Sequence, residues 1–489
     1  MRGTVNVKWL VIGLVAAVGV GLMLTLQVRD WIVLETEAGG SCGSSSRGIS
    51  SGPCPQNWGT IFVLSLFSLM ALIPLSIYGL LKAGRVGCLA GVLVTAIGIY
   101  PGAVLFDAMH GRSVEVTWTS PSDTVSDAET EGVWTSGGLV VRARFDGLTA
   151  FDAGSGGQRW QSTLPGRDVL CGMSRTAVDG IGMIAEQTTS TQCSRVSAVD
   201  LATGKSLWNA TIPPEEASSG TDADKLAIAG DTAMIRTQRT LQALGARDGK
   251  PRWKRVPQSP VCRYSWIAGG TNLAIAAERC NDRDGVSREV LRALDPATGR
   301  EQWSLRIPAV GNANVALISA DPLVLHVRET DQRGTTSLLA VNAEGKITAT
   351  IPAAAIDASA VLPGRSIPVF RIAVTGDAVI TPTRTEKARH QVTAYALADG
   401  RRLWATKEDR DSVSALAVDG QDVIMATARF DTMKLRILDP ATGAERRSAT
   451  VPLRRIDSRL QLVPAPTALV VVSGTGMTPY HPLQGLPRF

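Results

Sequence analysis

This sequence has almost none of the short signatures that announce chemistry. It contains no GxxxxGK segment, and so no phosphate-cradling loop of that kind. Its four histidines (His110, His326, His390, His481) are dispersed, and no C-x-x-C occurs, which leaves no metal-ligand spacing. No basic run exceeds two residues, so the concentrated cationic face that nucleic acid requires is missing. Charged residues are scarce at 19%, below the usual quarter of a soluble protein. The net charge of +6 is spread thinly: beyond residue 106, 44 bases face 41 acids, the balance of a mixed solvated surface.

Three near-matches do not survive inspection. Gly48–Gly52 fits G-x-S-x-G but lies in a Gly/Ser-rich loop, not at a strand-to-helix elbow. Asn281–Gly285 resembles part of a calcium loop, yet Cys280 holds the first position and Leu291 the twelfth, where an acid is needed. Asn209-Ala210-Thr211 is a glycosylation sequon, which matters only in a host that glycosylates it. No catalytic, cofactor-binding or metal-binding residue is assigned.

Long apolar runs, by contrast, fill the first 106 residues. They cover 9–28, 58–81 and 86–106. Each spans roughly 30 Å as a helix, the thickness of a hydrocarbon core, which predicts three transmembrane helices in contact with membrane lipid. The first has the basic start of a signal peptide, but no A-x-A cleavage pattern follows, so it reads as a retained helix. Arg2 and Lys8 precede it, Lys82 and Arg85 crowd the turn between the second and third runs, and the 29-residue loop 29–57 holds only two bases. The positive-inside rule then places the N-terminus and the tight turn in the cytoplasm and everything after Phe106 outside. Pro74 and Pro101 are read as tolerated kinks.

Cysteine use agrees with that placement. Of seven cysteines, Cys88 falls in the third apolar run. The other six can pair locally as Cys42 with Cys54, Cys171 with Cys193 and Cys262 with Cys280. Sequence does not fix connectivity. Six outside cysteines in short-range pairs suit an oxidising compartment.

From residue 148 a pattern returns: 148–160 (LTAFDAGSGGQRW), 196–208 (VSAVDLATGKSLW), 241–253 (LQALGARDGKPRW), 291–303 (LRALDPATGREQW) and 392–404 (VTAYALADGRRLW). Weaker copies are 338–349 (LLAVNAEGKITA) and 435–447 (LRILDPATGAERR). In the five strong copies Trp lies eight residues after Asp152, Asp200, Gly245, Asp295 and Ala396. An alternating strand leads into D-x-x-T-G, where Asp can bond the backbone two residues on and Gly can take positive φ; a second strand ends at Trp. Further apolar runs upstream, such as 180–185 and 323–327, supply more strands, about four per repeat. Such a unit is one propeller blade.

The repeated A-x-D-x-x-T-G-x-x-x-W resembles the tryptophan-docking motif of the PQQ-like, or quinoprotein-dehydrogenase-like, β-propeller family. The resemblance covers roughly residues 113–489 and not the apolar runs. It implies that Trp160, Trp208, Trp253, Trp303 and Trp404 pack between neighbouring blades, with looser junctions at Ala349 and Arg447. At about 47 residues per blade, 113–489 holds eight blades; seven copies are visible, so seven stay open. Ala468–Ser473 and Met477–His481 are read as strands of an eighth blade, closed by Val114–Trp118. Dehydrogenases of this family cover their quinone with an adjacent Cys-Cys pair, which this chain lacks. The acids Asp152, Asp200, Asp295 and Asp439 recur once per blade and read as turn formers.

These readings imply a non-catalytic scaffold without cofactor. It would be a multi-pass protein of the cytoplasmic membrane, with an extracytoplasmic propeller that binds a protein or peptide, and no nucleic acid. The resemblance points to envelope assembly, because the family includes a propeller lipoprotein of the outer-membrane assembly machinery. The alternatives are an extracytoplasmic sensor subunit and a PQQ-dependent dehydrogenase.

Overall fold

The computed structural model describes residues 7–38, 58–82, 85–110, 113–123, 129–187, 193–213, 224–281, 285–309, 311–330, 334–352, 361–362, 369–385, 387, 389–407, 412–429, 432–453, 460–474 and 481–488. The chain divides into two compact units. One holds Met1–Val114 with Arg429–Lys434 and Ser448–Leu453; the other holds the rest.

The helical unit contains α1 (Val7–Ala38), α2 (Trp58–Lys82), α3 (Arg85–Ile97) and α4 (Ile99–His110). Glycine lets these helices come close. A Cβ added at Gly79 of α2 would fall 2.7 Å from the Gly13 Cα of α1. One at Gly98 would fall 2.2 Å from the Val18 carbonyl oxygen. Small residues at such crossings allow backbone-to-backbone packing, the main source of helix association in lipid. Two helices, Val7–Glu35 and Trp58–Lys82, are long and apolar enough to cross a membrane.

The third expected span is corrected. The run 86–106 is not one helix but the shorter α3 and α4, broken at Gly98. The cause is local. Pro101 has no N–H to offer the Ile97 carbonyl four residues back, and its ring crowds that group. Gly98 instead donates to Thr95 at 3.0 Å, a tightened final turn.

The strands form an eight-bladed β-propeller of four-stranded antiparallel sheets. Blades one to four run from Gly132–Ser136 to Gln158–Thr163, Val169–Met173 to Ser206–Thr211, Leu226–Ala229 to Pro251–Arg255, and Cys262–Gly269 to Glu301–Arg306. Blades five to seven run from Ala313–Ala320 to Ile347–Pro352, Ala373–Val374 to Arg402–Ala405, and Ala415–Asp419 to Glu445–Pro452. A two-stranded pair, Val361–Leu362 with Val369–Phe370, lies between the fifth and sixth. Middle strands are sandwiched by neighbouring blades and read as unbroken apolar runs: six of the seven residues of Ile181–Gln187 are buried. Outer strands such as Ser206–Thr211 have one wet face and alternate.

The eighth blade takes Leu460–Pro464, Ala468–Ser473 and Leu483–Pro487 from the C-terminal end and Trp118–Thr119 from far upstream. Trp118 pairs with Gly485 and Thr119 with Gln484. Closure from the upstream end follows the expectation, although the pairing residues are Trp118–Thr119 and the partner strand lies beyond His481. The expected strand at 477–481 falls largely outside the described residues. Pairing the two ends removes the exposed edges that an open sheet would present.

Six blade junctions share one geometry. The indole N–H groups of Trp118, Trp160, Trp208, Trp253, Trp303 and Trp404 donate to the carbonyls of Ala153, Leu201, Ala246, Pro296, Ala343 and Pro440, at 2.7–3.0 Å. Each acceptor belongs to the turn of the following blade. Each ring also covers that turn's glycine: a Cβ added at Gly204 would stand 2.4 Å from the Trp160 ring, and φ there is +71°. Only glycine meets both demands. At the fifth blade, where Ala349 stands in place of Trp, the Thr348 hydroxyl donates to the Leu397 carbonyl at 2.6 Å.

Trp208→Ala is expected to destabilise the full chain by about 2–4 kcal/mol, the ring being only half buried. Trp31→Ala, on the exposed side of α1, is expected to leave the melting temperature of the propeller unchanged. Trp208→Phe should fall between them. Calorimetric scans of the three variants check this; equal, negligible shifts would contradict it.

Candidate functional site

The first strands of the blades line the axis, and one arginine dominates it. Arg175 follows the first strand of blade two, where the backbone is pinned. Ser174 N–H donates to the Met183 carbonyl at 2.9 Å, and the Trp134 indole donates to the Ser174 carbonyl at 2.8 Å. The guanidinium forms a two-pronged pair with Asp224, one contact being 2.7 Å. It also donates to the Leu317 carbonyl on blade five at 2.8 Å. One side chain thus ties blade two to the entry of blade three and across to blade five. Asp224 adopts φ +63°, a left-handed conformation that Asp tolerates better than most residues.

Two cavities meet at Arg175. The larger, about 550 Å³, is walled by Leu226–Ile228, Ile267–Gly269 and Leu317–Ala320, first-strand residues of blades three to five. The smaller, about 390 Å³, is lined by Arg236, Arg263, Arg279, Trp266, Arg175 and Asp224, among others. Arg279 pairs with Glu289 at 3.1 Å, and Arg236 donates to the Tyr264 carbonyl at 3.0 Å. Behind this wall, Arg292 bridges Glu278 at 2.9 Å and Glu301 at 3.1 Å. Burial, reinforced by the Glu278 charge, pushes the Tyr264 hydroxyl up to about 12.

None of the residues singled out in the sequence lines either cavity. The five named tryptophans lie on outer strands at the junctions. Cys171 is bonded to Cys193 within blade two and Cys262 to Cys280 within blade four. Cys42 and Cys54 lie outside the described residues, and Cys88 is in α3. Trp118 was read as part of the closing strand but not as a docking residue, and Thr348 escaped the sequence reading. Trp118 ends an apolar-alternating strand, which was a usable signal; Thr348 carried none.

The turn acids act on their own turns. Asp152 accepts from Ser155 N–H at 2.9 Å, Asp200 from Ala202 N–H at 2.8 Å, Asp295 from Thr298 N–H at 2.8 Å, and Asp439 from Ala441 N–H at 2.9 Å. The hydrogen bond from Arg159, then those from Ser155, lower the Asp152 carboxyl to about 2.

The donor set of the smaller cavity does not fit a calcium ion. The carboxylate lining the smaller cavity, Asp224, is held by Arg175 on both oxygens, and the other charged lining groups are guanidiniums, which repel a cation.

Eight four-stranded blades, closed end to end and joined through indole-capped glycine turns, define a PQQ-like β-propeller. Residues 192–355 and 287–478 match the family model described as outer membrane protein assembly factor BamB, and the chain belongs to that family. No curated protein matches it. Among solved structures, BamB from Moraxella catarrhalis is 16% identical over 76% of this chain and 99% of its own, with a TM-score of 0.45. The quinohemoprotein alcohol dehydrogenase from Comamonas testosteroni is 12% identical over 77% and 76%, with a TM-score of 0.47. The computationally designed Ika8 protein is 14% identical over 77% and 100%, with a TM-score of 0.48. These likenesses concern the fold alone.

The depressed Asp152 carboxyl makes a pH prediction. Its contribution is complete above the unfolded value near pH 4 and is lost as pH falls through about 2. Arg159→Gln is expected to move the Asp152 titration upward toward an ordinary aspartate, and Asp152→Asn to flatten the stability loss in that window. Carboxyl NMR titration and acid unfolding of the full chain check both. An unmoved Asp152 titration in the arginine variant would contradict the assignment.

Proposed function

We propose that this protein is a non-catalytic scaffold of the bacterial cell envelope. Its apolar helices anchor it in the cytoplasmic membrane, and its propeller, on the extracytoplasmic side, binds a protein or peptide. The docked indoles hold the ring rigid enough to present that surface.

The carrying observation is the loop Val256–Val261 between blades three and four. Val256 is 64% exposed and Val261 59%, the most exposed large apolar side chains among the described residues of the propeller. The loop is nevertheless well anchored. It contains Pro257 and Pro260, Arg239 donates to the Pro260 carbonyl at 3.3 Å, and Cys262 N–H donates to the Ser259 carbonyl at 3.0 Å. A stiff loop holding apolar groups in water loses little freedom on binding, which favours a partner contact.

Sidedness rests on the disulfides. Two crossing helices return the chain to the side on which it starts, so an extracytoplasmic propeller puts Arg2, Lys8, Lys82 and Arg85 on the outer side as well, against the positive-inside rule, and the disulfides alone carry the assignment. Two bonded cysteine pairs support an oxidising compartment.

A photo-reactive amino acid placed at Val256 or Val261 in intact cells is expected to yield a discrete protein adduct. The same group at Ala441, an exposed turn position on blade seven, is expected to yield none. Identical smears from all three sites, or no adduct, would remove the support for a partner surface here.

A further inference from the structure

We propose that the smaller axial cavity binds a small oxyanion, the carboxylate or phosphate group of a soluble ligand, held by Arg263, Arg279 and the Trp266 indole. The inference concerns the funnel and stands whether or not the loop Val256–Val261 meets a protein partner.

Charge comes first. Four guanidiniums, Arg175, Arg236, Arg263 and Arg279, line this cavity. Two carboxylates neutralise part of that charge: Asp224 pairs with Arg175, and the buried Glu289 with Arg279. Arg263 adds a further positive charge to this concave, partly enclosed space. Arg263 is exposed and has no carboxylate partner among the described residues. A concave site lined by one sign of charge concentrates ions of the other sign, and a guanidinium fork matches a carboxylate or phosphate.

The second observation is independent. Trp266 lines the same cavity and is 5% exposed, and its indole N–H has no acceptor among the described residues. The other buried tryptophans all have one: Trp118, Trp134 and Trp404 donate to backbone carbonyls at 2.9, 2.8 and 2.7 Å. A buried donor left unpaired is destabilising, and it persists where it serves a ligand. Arg263 and Arg279 line the same cavity as this indole, so an oxyanion bound there is the acceptor we assign to it.

Shape agrees. A volume of about 390 Å³ lies at the lower end for ligand pockets, suited to a small molecule. Val315 and Ala316 give it an apolar wall against which a short carbon chain can lie.

The test titrates the full-length protein, in detergent and low-salt buffer, with sodium succinate and separately with potassium phosphate. Calorimetry follows binding and nitrogen-15 indole NMR follows Trp266. Saturable one-to-one binding of either probe, with a shift of the Trp266 signal, is expected; which probe binds tells carboxylate from phosphate. Trp266→Phe keeps a ring without the donor and should weaken binding about tenfold. Arg263→Gln, at an exposed position that leaves the fold intact, should weaken it roughly three- to tenfold. The inference is overturned if neither probe saturates, or if both variants bind as the unaltered protein does.

Discussion

The propeller depends on one recurring hydrogen bond: an indole N–H on an outer strand, which runs on past the ring where a strand ending at Trp was expected, donated to a carbonyl in the turn of the next blade. The acceptor is always the residue after the turn's first position: Leu201 after Asp200, Ala246 after Gly245, Pro296 after Asp295. That regularity explains why the repeat is so strict. The turn must place a carbonyl outward, and where Asp holds its first position the carboxylate supports this by capping the backbone. It must also leave room for the ring, which requires glycine. Trp and Gly are therefore two parts of one contact made across a blade boundary, not two separate preferences.

The junction from blade five to blade six keeps the hydrogen bond without the ring. Ala349 gives no indole, yet the acceptor at Leu397 is still satisfied, by the hydroxyl of Thr348 one residue earlier. The missing ring led to the expectation of a looser junction there; Thr348 supplies a hydrogen bond in its place. The closing junction uses the same contact. Trp118, from the other end of the chain, donates to Ala153 and covers Gly156, while its backbone pairs with Gly485. Sheet pairing and indole docking thus act on one residue to seal the ring.

Most of the fold was legible because blades are local: strand, turn and strand lie within fifteen residues or so, and their period shows directly. What was illegible depended on distance or on a break in a run. Trp118 stands alone because the rest of its blade is at the opposite terminus. Arg175 meets Asp224 and Leu317, partners 49 and 142 residues away with no shared motif, so the funnel left no trace in the sequence. The third apolar run was apolar enough but interrupted; hydropathy counts residues and does not register that Pro101 deprives Ile97 of its hydrogen bond. The cysteine pairs within blades two and four were readable for the same local reason as the turns.

The central claim is that these indoles are held in closed hydrogen bonds at blade boundaries. It is tested most directly by measuring hydrogen exchange of the indole N–H groups in tryptophan-labelled full-length protein. The account predicts that Trp118, Trp160, Trp208, Trp253, Trp303 and Trp404 exchange orders of magnitude more slowly than free tryptophan, since opening requires two blades to part. Exchange of those six at the rate of the free amino acid would contradict it.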